Sequence, residues 1–335
     1  MSNWLKQLKY DPIRLLLASG DQALIYFTKR DLLDENVEPI ESIWQLPEIK
    51  KILFYQLTDG SFKYSGNKPE VYYPPNHYEI AETWRQLRVL VQQYQMTRSH
   101  PAVEKAAGFL FKCQTLEGDI RGMIGNQYAP YYTGAIMYLL IMAGYTSDLR
   151  IRRGFEWLLS MRQNDKGWTI PILTIQNYRW DEVIRVTSTN FEPLAPVKSR
   201  PSSHNWTGMV LRAFAIHPIQ RKTNEAKIAG DLLKSRFFRN DVYTSYRAAS
   251  YWTRFQYPFW WNNLLTALDS LSHLGYLKDD EDIKKGLDWF IDNQQPDGLW
   301  PLDVSKKERK VTPKSIREQL WVALAICRVL RRFYG

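Results

Sequence analysis

Five clusters of polar and aromatic residues in this chain have the types and spacing that chemistry needs. The densest is Gly118-Asp119-Ile120-Arg121-Gly122-Met123-Ile124-Gly125-Asn126-Gln127-Tyr128-Ala129-Pro130-Tyr131-Tyr132. Asp119 could act as an acid and Arg121 as an anion ligand, or the two could simply pair. Asn126, Gln127, Tyr131 and Tyr132 are the accompanying candidates for holding a substrate. A second cluster runs from Tyr72-Tyr73-Pro74-Pro75-Asn76-His77-Tyr78-Glu79 to Glu82-Thr83-Trp84-Arg85. Glu79 and Glu82 share a helix face at i, i+3, and Glu82 and Arg85 have the same spacing. A carboxylate buried there would have a raised pKa and could serve as a general acid; a solvated or ion-paired face is the plainer alternative.

In Ser203-His204-Asn205-Trp206-Thr207, Ser203 fits a helix N-cap and His204 can carry a proton near neutral pH, or can be a hydrogen-bonded core histidine. In Arg254-Phe255-Gln256-Tyr257-Pro258-Phe259-Trp260-Trp261-Asn262-Asn263, Pro258 suits a first helical turn. Trp260 and Trp261 would then point about 100° apart, so that at most one faces a cavity squarely. Such rings, with Tyr257 and Trp206, can hold a cation, stack on a sugar or fill a core. The last cluster, Tyr243 to Trp252 with Tyr246, Arg247 and Trp252, reads as a loop over a mouth.

Several chemistries are disfavoured. His77, His100, His204, His217 and His273 form no HxH or HExxH pair, so no metal is expected, and no Gly-rich phosphate loop or GxSxG elbow calls for a cofactor. Cys113 and Cys327 lie in apolar helical stretches and read as reduced core residues of a cytoplasmic protein. There is no signal-peptide pattern and no apolar run of about 18 residues, so peripheral association is the one membrane role left open. The formal net charge of +10 suits an anionic partner or a basic soluble surface; its densest run is Lys306, Lys307, Arg309 and Lys310. No nucleic-acid-binding motif accompanies it, so nucleic acid is not an expected partner. The 13 Trp, 20 Tyr and 14 Phe in 335 residues exceed what a core needs and suggest a lined cavity.

The elements that must position these residues recur. Lys285-Gly286-Leu287-Asp288-Trp289-Phe290, followed by Gln294, Gly298 and Trp300, matches Lys105-Ala106-Ala107-Gly108-Phe109-Leu110, followed by Gln114, Gly118 and Ile120. A third copy runs from Arg153 to Trp168, with Gln163 displaced by one, and a weaker one contains Gln56, Gly60 and Phe62. Each follows another apolar helical stretch; Gly144 and Gly275 suit helix ends, and Asp148 and Asp279 to Asp282 suit helix starts. The pattern predicts twelve helices, at about 3–17, 20–33, 44–56, 78–96, 101–114, 130–144, 147–162, 203–216, 222–237, 258–275, 279–294 and 314–333. A proline-rich stretch, about 163–202, reads as a long loop over one face. Six hairpins can bury their faces only against one another, as a ring. The expected architecture is an all-α (α/α)6 toroid forming a single domain over 1–335. Its repeats occupy about 45–335, helices within 3–33 complete the ring, and the loops before alternate helices rim one open end.

The Lys285 to Trp300 segment resembles the QW repeat of squalene and oxidosqualene cyclases, and the hairpin design resembles the prenyltransferase repeat more generally. The resemblance implies a terpenoid-cyclase or protein-prenyltransferase toroid whose central aromatic-lined cavity takes an isoprenoid or other apolar molecule. It also implies scaffold roles for Gln56, Gln114, Gly118, Trp168, Gln294, Gly298 and Trp300. The family's Asp-x-Asp-Asp acid motif and its Asp, Cys and His zinc set are both missing, which leaves catalysis an open question. Two other readings fit a toroid: a carbohydrate-active enzyme, with carboxyls among Asp119, Glu79 and Glu82 about 5 Å or roughly 6.5–9.5 Å apart, and a non-catalytic scaffold.

Overall fold

The helices divide into two kinds by how they are buried. The computed structural model describes residues 3–67, 76–175, 185–188, 191–243, 246–303 and 312–335. Tyr72 to Pro75, the middle of the long loop, Thr244, Ser245 and the run at Lys306, Lys307, Arg309 and Lys310 lie outside the described residues. The α-helices are α1 (Ile13–Leu17), α2 (Gln22–Leu32), α3 (Pro47–Leu53), α4 (His77–Leu87), α5 (Pro101–Lys112), α6 (Pro130–Leu140) and α7 (Leu149–Ser160). They continue as α8 (Pro171–Thr174), α9 (His204–Ile216), α10 (Asn224–Lys234), α11 (Leu264–His273), α12 (Glu281–Asp292) and α13 (Pro313–Tyr334). Wider π-type turns extend α4 through Arg88–Gln93 and α6 through Ile141–Tyr145. One short strand, Met123–Asn126, is present. Among the described residues the remaining regular structure is helical, apart from isolated bridges at the corners.

In α6 and α9 nearly every residue is buried, whereas α7, α10 and α12 bury one stripe and expose the rest. A helix that is covered all round must be interior, and a one-sided helix must be peripheral. The packing agrees: α6 lies on α9, α9 on α11, α11 on α13, and α13 on α2. The extended end of α4 meets α6, and Arg30 of α2 donates to Gln95 just beyond α4 at 2.8 Å. Six inner helices therefore form a closed ring, α2, α4, α6, α9, α11 and α13, with α1, α3, α5, α7, α10 and α12 outside. This is an α/α toroid. The tightest inner pair depends on Gly134, where a Cβ would lie 2.7 Å from Val210 Cα of α9.

The recurring corners have one geometry. The Nε2 groups of Gln56, Gln114 and Gln294 donate to the carbonyls of Gly60 (3.0 Å), Gly118 (2.7 Å) and Gly298 (3.0 Å). The same amides reach the start of the next outer helix, at the carbonyls of Ala102 (2.7 Å) and Arg150 (2.8 Å), and for Gln294 at Tyr10 (2.8 Å). That last bond joins the final outer helix to the first. Gln163 fills the displaced position and holds Val197 and Arg200 of the long loop, both at 2.9 Å. Trp168 and Trp300 are fully buried and donate from Nε1 to the carbonyls of Leu158 (2.6 Å) and Phe290 (2.7 Å). The backbone N–H groups of Phe62, Ile120 and Trp168 donate to the hydroxyls of Thr83 (3.0 Å), Thr133 (3.2 Å) and Thr207 (2.9 Å), one on each following inner helix. These threonines are a further part of the repeat that the sequence reading missed.

Three expected helices differ. The span 3–17 keeps only a 3₁₀ turn, Leu5–Gln7, and α1, because Pro12 and the Asp11 carboxylate, which accepts Ile13 N–H at 2.8 Å, start a new helix there. The span 44–56 is divided at Pro47, which opens α3. The span 258–275 begins only at Leu264, because Asn263 and Thr266 form a reciprocal capping box. Pro258, Trp260 and Trp261 therefore belong to a loop, and the Tyr257–Pro258 bond is cis.

The ring closes electrostatically as well. Arg328 of α13 binds Asp31 of α2 at 2.5 Å, and Arg331 binds Asp34 at 2.7 Å. Burial pushes the Asp31 carboxyl up, but Arg328 and Arg30 outweigh it and hold the group below the usual carboxylate range. A depressed carboxylate stabilises the fold above its unfolded value, and that contribution is lost as pH falls through the folded value. We expect Asp31→Asn to be less stable than wild type at about pH 7, with the gap narrowing as pH falls below the ordinary Asp value of about 3.9. Urea midpoints measured across that range would refute this if the two proteins stayed parallel. Cys113 and Cys327 are unbridged, and burial pushes the Cys113 thiol up to about 11.

Candidate functional site

The middle of the extended α4 and the N-terminal ends of α6 and α9, with the loop before α11, bring six aromatic rings into a closed circuit. Trp84 meets Tyr132 (ring centroids 5.2 Å apart), Tyr132 meets Tyr131 (4.2 Å), and Tyr131 meets Trp206 (4.3 Å). Trp206 meets Trp261 (5.5 Å), Trp261 meets Trp260 (5.6 Å), and Trp260 returns to Trp84 (5.0 Å). Tyr246 stacks on Trp261 from outside at 4.6 Å. Since Trp260 and Trp261 are not helical, their rings stand side by side, 31° apart in plane, rather than diverging. Tyr132, Tyr246, Trp260 and Trp261 remain partly accessible. The indole N–H groups of Trp206 and Trp260 are buried without a hydrogen-bond partner.

Two arginines support this collar. Arg88 lies against Trp84 (5.1 Å) and Trp260 (4.6 Å) and donates to the carbonyls of Pro258 (2.7 Å) and Phe259 (2.9 Å). Arg212 donates to the carbonyls of Trp260 (2.9 Å) and Trp261 (2.8 Å). Burial, with Arg212 nearby, pushes Arg88 down to about 9, and burial pushes Arg212 down to about 10. Four successive carbonyls are thereby fixed and the Trp pair is aimed. The sequence reading missed both residues because it searched the loops. The available signal was a basic residue inside an apolar helix, as in Leu211-Arg212-Ala213, since such residues are rarely buried without a task.

The other candidates have other partners. Asp119 is buried and binds Arg121 through both oxygens at 3.0 Å, and Arg121 also binds Glu117 at 2.8 Å. Glu82 pairs with Arg85 and accepts from Gln86 at 2.5 Å. Glu79, half-buried one turn earlier, acts on the charge of His77. Asn126 donates to Phe191 O at 3.0 Å, and Gln127 donates to Val186 O at 2.5 Å while accepting from Leu194 N–H at 2.9 Å. These two amides hold the long loop's backbone rather than a ligand. Arg247 is exposed. Trp252 stacks on His204 at 4.7 Å and donates to Arg239 O at 3.1 Å.

Tyr257 points to the opposite end of the ring. It stacks on Trp321, with planes 8° apart, and lines a hollow of about 810 Å³ to which all six inner helices contribute. Trp4, Tyr138, Ile216, Phe259 and Ala325 form the apolar wall of that bowl. Its rim carries arginines bound to carboxylates, Arg328 with Asp31, Arg331 with Asp34, and Arg332 with Asp269. Among the described residues no group of three or more His, Cys, Asp or Glu side chains is placed to hold a metal, and no helix is long and apolar enough to cross a membrane.

No family model and no curated protein matches the chain. Solved structures with a similar chain path include a protein from Actinoplanes at 14% identity, covering 98% of this chain and 89% of that one with a TM-score of 0.44. They also include the type II terpene cyclase MstE from Scytonema at 12% identity, covering 98% of this chain and 87% of that one. Its TM-score is 0.44 without ligand and 0.45 in complex with geranylgeranyl dihydroxybenzoate.

Proposed function

We propose that this protein binds an isoprenoid, or another unsaturated apolar molecule, against the aromatic collar. The closed circuit of six rings carries this reading. Aromatic faces give an apolar chain a large rigid contact surface and offer π-electron density to unsaturated or cationic carbon. The two unpartnered indole N–H groups of Trp206 and Trp260 add donors for an oxygen on the ligand. Asp119 and Glu82 are each engaged by an arginine, so binding rather than proton transfer is what the collar supports.

Titration with geranylgeraniol, read by tryptophan emission, is expected to saturate. Tyr132→Ala, which removes a partly accessible ring, should weaken binding by about tenfold or more. Ala325→Trp, which fills the bowl at the far end, should leave the titration unchanged. An unsaturable titration, or loss of binding in Ala325→Trp but not in Tyr132→Ala, would remove the collar as the site.

A further inference from the structure

A second, smaller hollow of about 180 Å³ opens beside the start of α9. His204, Asn205, Tyr246, Trp252, Trp261 and Asn262 lie on its wall. We infer that it is a binding site for one uncharged, hydroxylated ring, the chemistry of a single sugar residue. The proposal stands apart from the apolar ligand, since pocket and collar share only Trp261 and the outer ring Tyr246.

The Asn205 amide carries the argument. Asn205 is 3% exposed, and its Nδ2 group is buried without a hydrogen-bond partner. The amide cannot be turned round to relieve this, because Oδ1 accepts the backbone N–H of Asn262 at 3.1 Å. A buried donor left unpaired is destabilising, and one held on the wall of a hollow calls for an acceptor inside it.

The surroundings narrow the acceptor's class. His204 lies 3.6 Å from the Asp241 carboxylate, which is itself held by the Ser203 hydroxyl (2.7 Å) and the Asn205 N–H (2.9 Å). Burial pushes His204 below its ordinary value, so near neutral pH the imidazole is uncharged, with one donor and one acceptor nitrogen. Arg254, the cation on this wall, is paired with Asp303. Among the described residues the wall therefore offers no free charge to an ion. A hydroxyl is a neutral group that can accept from an amide and donate to an imidazole through one and the same oxygen, which a carboxamide cannot. Tyr246 and Trp261, both partly accessible, give the hollow an aromatic side, and the volume equals about six waters at about 30 Å³ each, room for one ring of that size.

The experiment is saturation-transfer NMR with four probes, methyl glucoside, galactoside, mannoside and N-acetylglucosaminide, plus benzamide as a ring that lacks hydroxyls. At least one glycoside is expected to saturate. Asn205→Asp keeps an acceptor for Asn262 but removes the donor, and should weaken that glycoside by about tenfold or more. If Asn205→Asp does not fold, His204→Phe, which keeps a ring on Trp252, decides the same question. No glycoside binding, undiminished binding in the folded variant, or a response to benzamide alone each overturns the proposal. Geranylgeraniol titrated into the same samples separates the two readings, since its failure bears on the collar and not on this pocket.

Discussion

Gly118→Ala is expected to lose about 3 kcal/mol or more of stability, while Gly20→Ala loses about 1 kcal/mol. Both glycines have positive φ, 114° and 71°, so both substitutions meet backbone strain. They differ in their surroundings. A Cβ at residue 118 would lie 2.6 Å from the Arg153 carbonyl oxygen of α7, whereas at residue 20 it would meet nothing within 4 Å. Backbone cannot step aside as a flexible side chain can, so the corner must separate from the neighbouring helix. Gly60→Ala, with Lys105 O at 2.2 Å, should behave like Gly118→Ala, and Gly298→Ala, with Asp11 O at 3.1 Å, should fall between. Urea unfolding of the four variants measures this, and equal losses at residues 20 and 118 would refute the close-approach account.

Trp300→Ala should cost about 3–5 kcal/mol, the range for deleting a large buried ring. Trp300 is fully buried, lies beside Phe290 with centroids 6.4 Å apart, and donates to the Phe290 carbonyl. Truncation leaves a cavity and an unpaired carbonyl at the corner where Gln294 joins the last outer helix to Tyr10. Trp300→Phe retains most of the ring volume and loses the indole bond, so about 1–2 kcal/mol is expected. Thermal and urea unfolding of the pair separate volume from hydrogen bonding. If the phenylalanine variant were as damaged as the alanine one, the indole bond rather than the filled space would hold this corner.

Much of the fold was legible. Each of the twelve expected spans contains a helix, because the inner and outer apolar patterns recur at helical spacing and the turns between them carry glycines and capping carboxylates. Boundaries failed where a local cap outweighed the apolar pattern: Asp11 and Pro12 interrupt the first span, and the Asn263–Thr266 box delays α11 by six residues against the expected start at 258. The four-residue helix α8 lies within what was read as loop.

The candidate site was legible in kind but not in membership. Tyr131, Tyr132, Trp206, Trp260 and Trp261 stood out as aromatic neighbours in sequence, and the structure joins them in one circuit. Trp84 stood out only as part of the Glu82–Arg85 run, and Arg88 and Arg212 did not stand out, since each looks like an ordinary residue of an apolar helix. Asn126 and Gln127 resembled ligand-binding amides and instead anchor the long loop, and Tyr257 faces the other end of the ring.

Helix content, hairpin order and the identity of the corner residues follow from spacing along the chain, because periodicity and capping are properties of a few consecutive residues. Which rings meet across the centre, which end of the lumen is closed by aromatics and which is left as a charged bowl depend on contacts between residues far apart in sequence, such as Arg88 with Phe259 or Arg328 with Asp31. Those contacts exist only once six helices share one axis, so no local pattern encodes them.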